Sequence, residues 1–151
     1  MLAAIMLLQG MYFVKMLWPK RAKPKLDSVN ISYGYSDNDR TPYVCQLVIN
    51  NFKGKRDCTV LGVDVYLDER PCSKGGGVLL ITEHDFEPRK ALSTEEVVNV
   101  EAGRAEKVQI TGRCEGLDIK DKTLAAEVHV RINTGKMLTK SVTAYLNNRI
   151  A

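Results

Sequence analysis

The 151-residue sequence predicts an all-β domain behind one apolar N-terminal helix. Three observations support this prediction. Apolar and polar residues alternate from about residue 28 onward, which is the periodicity of half-buried strands. Turn-forming residues separate the alternating runs roughly every 8–14 residues. An almost uninterrupted apolar run fills positions 1–18. Together they indicate a β domain attached to a hydrophobic segment.

The apolar run, residues 1–18, contains only two strongly polar side chains, Gln9 and Lys15. As a helix rising about 1.5 Å per residue it would span roughly 27 Å, close to the ~30 Å hydrocarbon core of a bilayer. A cleaved signal peptide and a helix lying in the interface are alternatives. The run lacks the basic residues that precede a signal peptide and the polar stripe of an interfacial helix. A single-pass transmembrane anchor is therefore the favoured interpretation.

Side chains within this predicted anchor suggest how it sits in the membrane. Tyr12 and Trp18 are candidate interfacial aromatics, and the long stem of Lys15 can bring its ammonium group to the headgroups. Gln9 and Gly10 are unfavourable against pure lipid. They suggest packing against other membrane helices, because glutamine offers a hydrogen bond and glycine allows close approach.

A basic, proline-containing linker is predicted at residues 19–26, and it carries the orientation signal. No lysine or arginine precedes the apolar run, so the positive-inside rule places the following domain on the cytoplasmic side, or on the matrix side of a mitochondrial membrane. An exported domain is the alternative. The basic residues should also attract anionic lipid, each contributing about 1 kcal/mol near the surface. They are Lys20, Arg21, Lys23 and Lys25.

The charge of the whole chain is misleading. Its 22 basic and 18 acidic residues give a net charge of +4. Five of the basic residues and none of the acidic ones fall in positions 1–26. The remainder is close to neutral and lacks the clustered positive field that nucleic-acid binding needs. No nucleic-acid partner is therefore expected.

The predicted domain, residues 27–151, reads as seven to nine short strands and no amphipathic helix. A turn at 133–136, with Gly135 in a left-handed conformation, should join the last two strands. A polar corner within 98–110 joins two others. This pattern predicts an immunoglobulin-like two-sheet β-sandwich, and the lack of a regular meander disfavours a closed barrel. The predicted strands are 28–35, 43–50, 59–68, 78–81, 96–100, 107–112, 124–132 and 141–146.

Four cysteines permit two disulfides if the domain is exported, or free thiols in a reducing compartment. Cys45 lies within a strand and Cys114 just after one, so they are the candidate pair that could meet across the two sheets. The orientation signal favours the reducing side of the membrane and therefore free thiols. Cys58 and Cys72 flank one strand and could pair only if the following loop folds back. No pair has the spacing of a zinc or redox site, so no metal site is predicted.

Other polar segments are interpreted as loops. The segment 83–87 holds three carboxylates and His84, but neighbouring loop residues point in different directions, so a solvated loop is favoured over a site. Asp37–Asp39 reads as a turn, and the glycine-rich 74–77 as a hairpin connection. No constellation converges on a reactive group, so neither a catalytic residue nor a cofactor is predicted.

The sequence thus favours a non-enzymatic, single-pass accessory or assembly subunit of a larger membrane complex. Its sandwich would contact membrane-protein partners beside the lipid surface. An alternative is a ligand-binding module whose loops at 34–42, 70–77 and 83–94 hold a sugar, a lipid or a divalent ion. A further alternative is an adhesion domain exported to the envelope. No small-molecule substrate is identified.

Overall fold

A computed structural model of the chain describes residues 20–81, 90–92 and 98–150, with side chains outside 75–81 and 90–92. Ten strands occur in these ranges, and three of them have three residues or fewer. The strands are β1 (Lys25–Tyr33), β2 (Arg40–Asn50), β3 (Cys58–Leu67), β4 (Arg70–Pro71), β5 (Ser73–Ile81), β6 (Lys90–Leu92), β7 (Val98–Val100), β8 (Ala105–Glu115), β9 (Thr123–Ile132) and β10 (Met137–Leu146).

The strands form one hydrogen-bonded sheet in the order β4-β3-β9-β10-β1-β2-β8-β5-β6, with β7 paired to β3 beside this path. Nearly all neighbours are antiparallel, and the exception is the parallel pairing of β1 with β10. Each long strand with described side chains has one buried and one more exposed face, so the sheet must fold on itself to cover its apolar side. The all-β, sandwich-like architecture predicted from the sequence is confirmed.

The sheet closes at Cys72. This residue alone separates β4 from β5, although the two strands lie near opposite ends of the strand order. The backbone N–H of Cys72 donates to the carbonyl of Val65 on β3 at 2.9 Å. The next residue, Ser73, pairs with Arg113 on β8. One continuous stretch of chain therefore leaves one layer and joins the other.

Several element boundaries in the structure differ from those predicted from the sequence. β1 begins at Lys25, so the last two residues of the predicted linker belong to the domain, and it ends at Tyr33. The glycine-rich segment 74–77, predicted as a hairpin connection, lies within β5. Its pairing with β8 is irregular between Lys74 and Val78, as in a β-bulge. Gly135 has φ +85°, which confirms the predicted left-handed turn between β9 and β10.

The core lies between the inward faces of the folded sheet. Its largest fully buried side chains include Tyr33 and Tyr43, whose hydroxyls reach backbone carbonyls at Asp121 (3.1 Å) and Ser73 (3.2 Å). These hydrogen bonds satisfy polar groups that burial would otherwise penalise. Gly112 lies beside Ser73 and Tyr43, and a Cβ there would overlap the Ser73 carbonyl oxygen. A glycine is therefore needed where β5 and β8 meet.

A matched pair of leucines tests the assignment of the core. Leu47 on β2 is fully buried, whereas Leu61 on β3 is 53% exposed. We expect Leu47→Ala to lower the free energy of unfolding by about 2–5 kcal/mol, because it removes buried methyl groups and leaves a cavity. Leu61→Ala should change it by less than about 0.5 kcal/mol. Guanidinium unfolding followed by circular dichroism measures both, and equal losses would contradict the assignment.

Candidate functional site: the linker end of the domain

The part of the predicted linker that the structure describes is hydrogen-bonded to the domain. The carbonyl of Arg21 accepts a hydrogen bond from the backbone N–H of Lys55 at 2.8 Å. Two residues further on, the backbone N–H of Lys23 donates to Oδ1 of Asn51 at 2.9 Å. Pro24 is buried next to these contacts. The chain entering β1 therefore lies against the loop 51–57.

Asn51 organises this end of the molecule. Its side chain is fully buried, and its Nδ2 donates to the carbonyls of Arg56 (2.8 Å) and Val100 (3.4 Å). Its backbone bonds to Arg104 and Gly103 in the turn between β7 and β8. A buried amide is stable only when its donors and acceptors are paired, and here they are. One residue thus joins the linker, the loop 51–57 and the 101–104 turn.

The predicted lipid-contacting residues lie on this surface. The side chains of Lys20, Arg21, Lys23 and Lys25 are all exposed. The predicted anchor residues Gln9, Gly10, Tyr12, Lys15 and Trp18 lie outside the described residues. Within the described residues, no helix is long and apolar enough to cross a bilayer.

The two ends of the domain carry opposite charge. We call the loops 20–24, 51–57, 101–104 and 133–136 the linker end, and the loops 34–39, 68–69, 116–122 and 147–150 the distal end. The basic residues of the linker end are Lys20, Arg21, Lys23, Lys53, Lys55, Arg56, Arg104 and Lys136, against the acidic Asp57 and Glu101. The distal end has the acidic Asp37, Asp39, Asp68, Glu69, Asp118 and Asp121 against the basic Lys120, Lys122 and Arg149.

Both acidic groups of the linker end have local partners. Glu101 forms an ion pair with Arg104 at 3.3 Å, and Asp57 Oδ1 accepts a hydrogen bond from the backbone N–H of Ala102 at 2.9 Å. Lys53, Lys55 and Arg56 are exposed and take part in none of the ion pairs formed among the described residues. Most of the positive charge therefore faces solvent.

The cysteines are free thiols, and the predicted pair does not meet. Cys45 on β2 lies opposite Ile110, whereas Cys114 lies opposite Thr41 on the same pair of strands. Four residues of strand, about 13 Å, separate the two positions, which is too far for a disulfide. The candidate pair Cys45 and Cys114 thus does not meet across two sheets, because β2 and β8 are neighbouring strands in one layer.

The actual neighbour of Cys114 is Cys72, at the corner where the sheet closes. The Sγ atoms of both residues approach the same acceptor, the carbonyl oxygen of Arg70, at 3.8 Å from Cys72 and 3.9 Å from Cys114. Burial raises the pKa of both thiols. For Cys114, the hydrogen bond from Cys72 and the nearby Arg70 cation act in the opposite direction. Cys114 is thus the sulfur better placed to carry the thiolate.

A second polar cluster, not predicted from the sequence, covers the outer face of β3 and β9. His129 Nε2 lies 2.6 Å from Glu127 Oε1, and its ring packs against Tyr66 with centroids 4.9 Å apart. Asp64 forms ion pairs with Arg131 (3.7 Å) and Lys74 (3.5 Å). The strand alternation placed these side chains on the solvent side, but only the pairing of β3 with β9 brings them together.

The structure describes some of the other polar segments singled out in the sequence, and not others. The loop 83–87 with His84 lies outside the described residues. Asp37–Asp39 is a turn, as predicted, with Asn38 and Asp39 at positive φ and paired hydrogen bonds between Asp37 and Arg40. Of the predicted ligand loops, 34–42 and 70–74 lie at or near the distal end. Among the described residues, no three histidine, cysteine or acidic side chains are arranged to hold a metal ion.

Comparison with known proteins identifies no family for this chain. The sequence matches no protein-family model and no curated protein. Solved structures with similar folds include the sporulation control protein Spo0M from Bacillus subtilis, at 11% identity and a TM-score of 0.45, covering 82% of this chain and 49% of that one. The chain thus spans about half the length of the Spo0M structure.

Two further structures are similar in fold. A protein from Archaeoglobus fulgidus has 13% identity and a TM-score of 0.42, with 82% of this chain and 98% of that chain covered. A PapD-like domain of human CEP192 has 14% identity and a TM-score of 0.33, with 88% and 89% covered.

The role of Asn51 can be tested by proteolysis. We expect Asn51→Ala to destabilise the linker end by about 1–3 kcal/mol, because it leaves the Lys23 N–H and the Arg56 carbonyl without their partner. Trypsin should then cut after Arg21 faster, since cleavage follows local opening. Asn147→Ala is the control, because the exposed Asn147 side chain only accepts a local hydrogen bond from the backbone N–H of Arg149. Equal cleavage rates in both variants would contradict this role.

The contact between Cys72 and Cys114 predicts selective cross-linking. On treatment with diamide, which is reduced as the two thiols lose their hydrogens, these residues should form an intramolecular disulfide that peptide mapping detects. Because the pKa values of both thiols are raised, the rate should grow about tenfold per pH unit between pH 7 and 8. Cys114→Ser should abolish the product and Cys58→Ala should leave it. Cys45 lies four residues of strand from Cys114, so bridges to Cys45 as fast as this one would contradict the prediction.

Proposed function

We propose that this protein is a single-pass, membrane-anchored accessory subunit of a larger membrane complex, with an immunoglobulin-like two-sheet sandwich held beside the lipid surface. The observation that carries the proposal is the hydrogen-bonded linker. Arg21 and Lys23 are fixed to the loop 51–57 and to Asn51, so a domain anchored by residues 1–18 would be held close to the bilayer and in one orientation.

A fixed orientation suits a subunit that positions a surface for its partners. The domain would present its sides to neighbouring membrane proteins and its distal end away from the lipid. Met137 on β10 and Gly62 on β3 lie opposite Arg131 of β9, and Leu61 precedes Gly62. Met137 and Leu61 are 51% and 53% exposed. Apolar side chains around an arginine are a composition typical of protein interfaces. This face is the proposed contact with a partner subunit.

The alternative is an exported ligand-binding or adhesion module. It has the same fold but the opposite membrane topology, because its domain would lie on the external side of the membrane. In that compartment Cys72 and Cys114 would encounter oxidising conditions. The side of the membrane on which the domain lies therefore separates the two functions.

Topology can be measured with a membrane-impermeant maleimide on intact cells. Three of the four native thiols are buried and poorly reactive, so we introduce Asn148→Cys at the exposed distal end, in a Cys72→Ser background. We propose that the domain lies on the cytoplasmic or matrix side of the membrane, as the positive-inside rule indicates. In that case labelling is expected only after permeabilisation. The Cys72→Ser chain without the introduced cysteine gives the background. Labelling before permeabilisation would overturn the proposed topology and favour the exported module.

The assembly role has its own test. In mild detergent the protein should elute with a protein mass well above its own 16.9 kDa, together with partner subunits. Gly10→Leu should release it as a monomer, because the predicted close approach of helices is lost. Leu8→Val is the matched control, since it lies on the opposite side of the predicted helix. A native chain that is always monomeric would contradict the accessory role.

A further inference from the structure

The loop 51–57 presents an aromatic side chain among cations at the linker end. Phe52 is 59% exposed, although large apolar side chains are normally buried. It is followed within four residues by Lys53, Lys55 and Arg56, all exposed. An exposed aromatic ring flanked by basic residues is the composition of segments that insert into the headgroup region of anionic membranes.

The position of this loop matches that composition. The carbonyl of Arg21, bonded to Lys55, is only three residues from Trp18, where the apolar run ends. Three residues of extended chain reach about 10 Å at most. If the apolar run spans a membrane, the backbone of this loop near Lys55 therefore lies close to the end of the span, at a distance comparable to the thickness of the headgroup layer.

The loop is also held in shape before any contact with lipid. The Asn51 amide donates to the Arg56 carbonyl, and the Gly54 N–H donates to the Asn51 carbonyl at 3.1 Å. Gly54 packs so closely on the Asn51 side chain that a Cβ would overlap it. A preorganised loop loses little conformational freedom on binding, which favours association.

Charge complementarity identifies the partner of this surface. The described loops of the linker end carry eight basic and two acidic side chains, whereas those of the distal end carry three basic and six acidic ones. An anionic surface would attract the linker end and repel the distal end. From these observations we infer that the loop 51–57 is a second membrane contact, with Phe52 inserted between headgroups and Lys53, Lys55 and Arg56 bound to anionic lipid phosphates.

This inference rests on the proposed membrane anchorage, but the contact between the loop and lipid can be measured separately from the anchorage. The full chain is reconstituted into vesicles of phosphatidylcholine containing 30% phosphatidylglycerol, with lipids brominated near the headgroup. Phe52→Trp in a Trp18→Phe background leaves the introduced tryptophan as the only one. Its emission should shift to the blue and be quenched. Tyr35→Trp in the same background is the control, because Tyr35 is 63% exposed at the distal end, and it should remain unquenched.

Two matched charge-reversal variants test the electrostatic contribution to the lipid contact. The triple change of Lys53, Lys55 and Arg56 to glutamate should reduce quenching at position 52 to its level in pure phosphatidylcholine, since each basic residue near an anionic surface strengthens binding about fivefold. The same change at Lys120, Lys122 and Arg149 alters net charge equally, at the distal end, and should leave quenching unchanged. Equal effects of the two triple variants would overturn the specific contact.

Carbonate extraction of the same vesicles distinguishes the two hypotheses. A chain that resists extraction but shows an unquenched tryptophan at position 52 keeps the anchor and overturns the loop contact. A chain that carbonate removes loses the anchor, and quenching at position 52 before extraction then supports a peripheral lipid contact by the loop. Unquenched emission in that case overturns the inference as well.

Discussion

Every long strand with described side chains has one apolar face, and the need to cover that face dictates the architecture. A flat sheet of these strands would expose a continuous apolar surface, so the sheet folds until the inward faces of its layers meet. The corner at Cys72 makes this possible because one short stretch of chain bonds first to β3 and then to β8. The close approach of Gly112 to Ser73, and the neighbouring thiols of Cys72 and Cys114, are consequences of closing the sheet at this point.

Asn51 has a comparable role at the linker end. Loops that lack regular pairing need other partners for their backbone polar groups, and a buried amide supplies several at once. Asn51 pairs with backbone groups of the linker, the loop 51–57 and β7. It thereby joins these segments into one basic surface of fixed shape. The functional proposals depend on that rigidity, because a freely hinged linker would leave the domain without a defined orientation.

The strands themselves could be predicted from the sequence, whereas the pairing of strands with one another could not. In Leu124–Ile132 the alternation alone shows which side chains are buried, since strand geometry has period two. Alternation carries no information about which strands are neighbours, so the sequence alone does not show that Cys72, and not Cys45, lies beside Cys114. Asn51 is equally inconspicuous in sequence, where an asparagine near a glycine looks like an ordinary turn residue. The one available signal at that site was Phe52, an aromatic residue in an otherwise polar segment.

The parallel pairing of β1 with β10 gives the domain a defined mechanical axis. The chain enters at the linker end of β1 and leaves β10 at the opposite end, near Tyr33 and Asn147. A pulling force applied to the domain at residue 20 and residue 150 would act along both strands. The hydrogen bonds joining them would be sheared together rather than peeled one at a time.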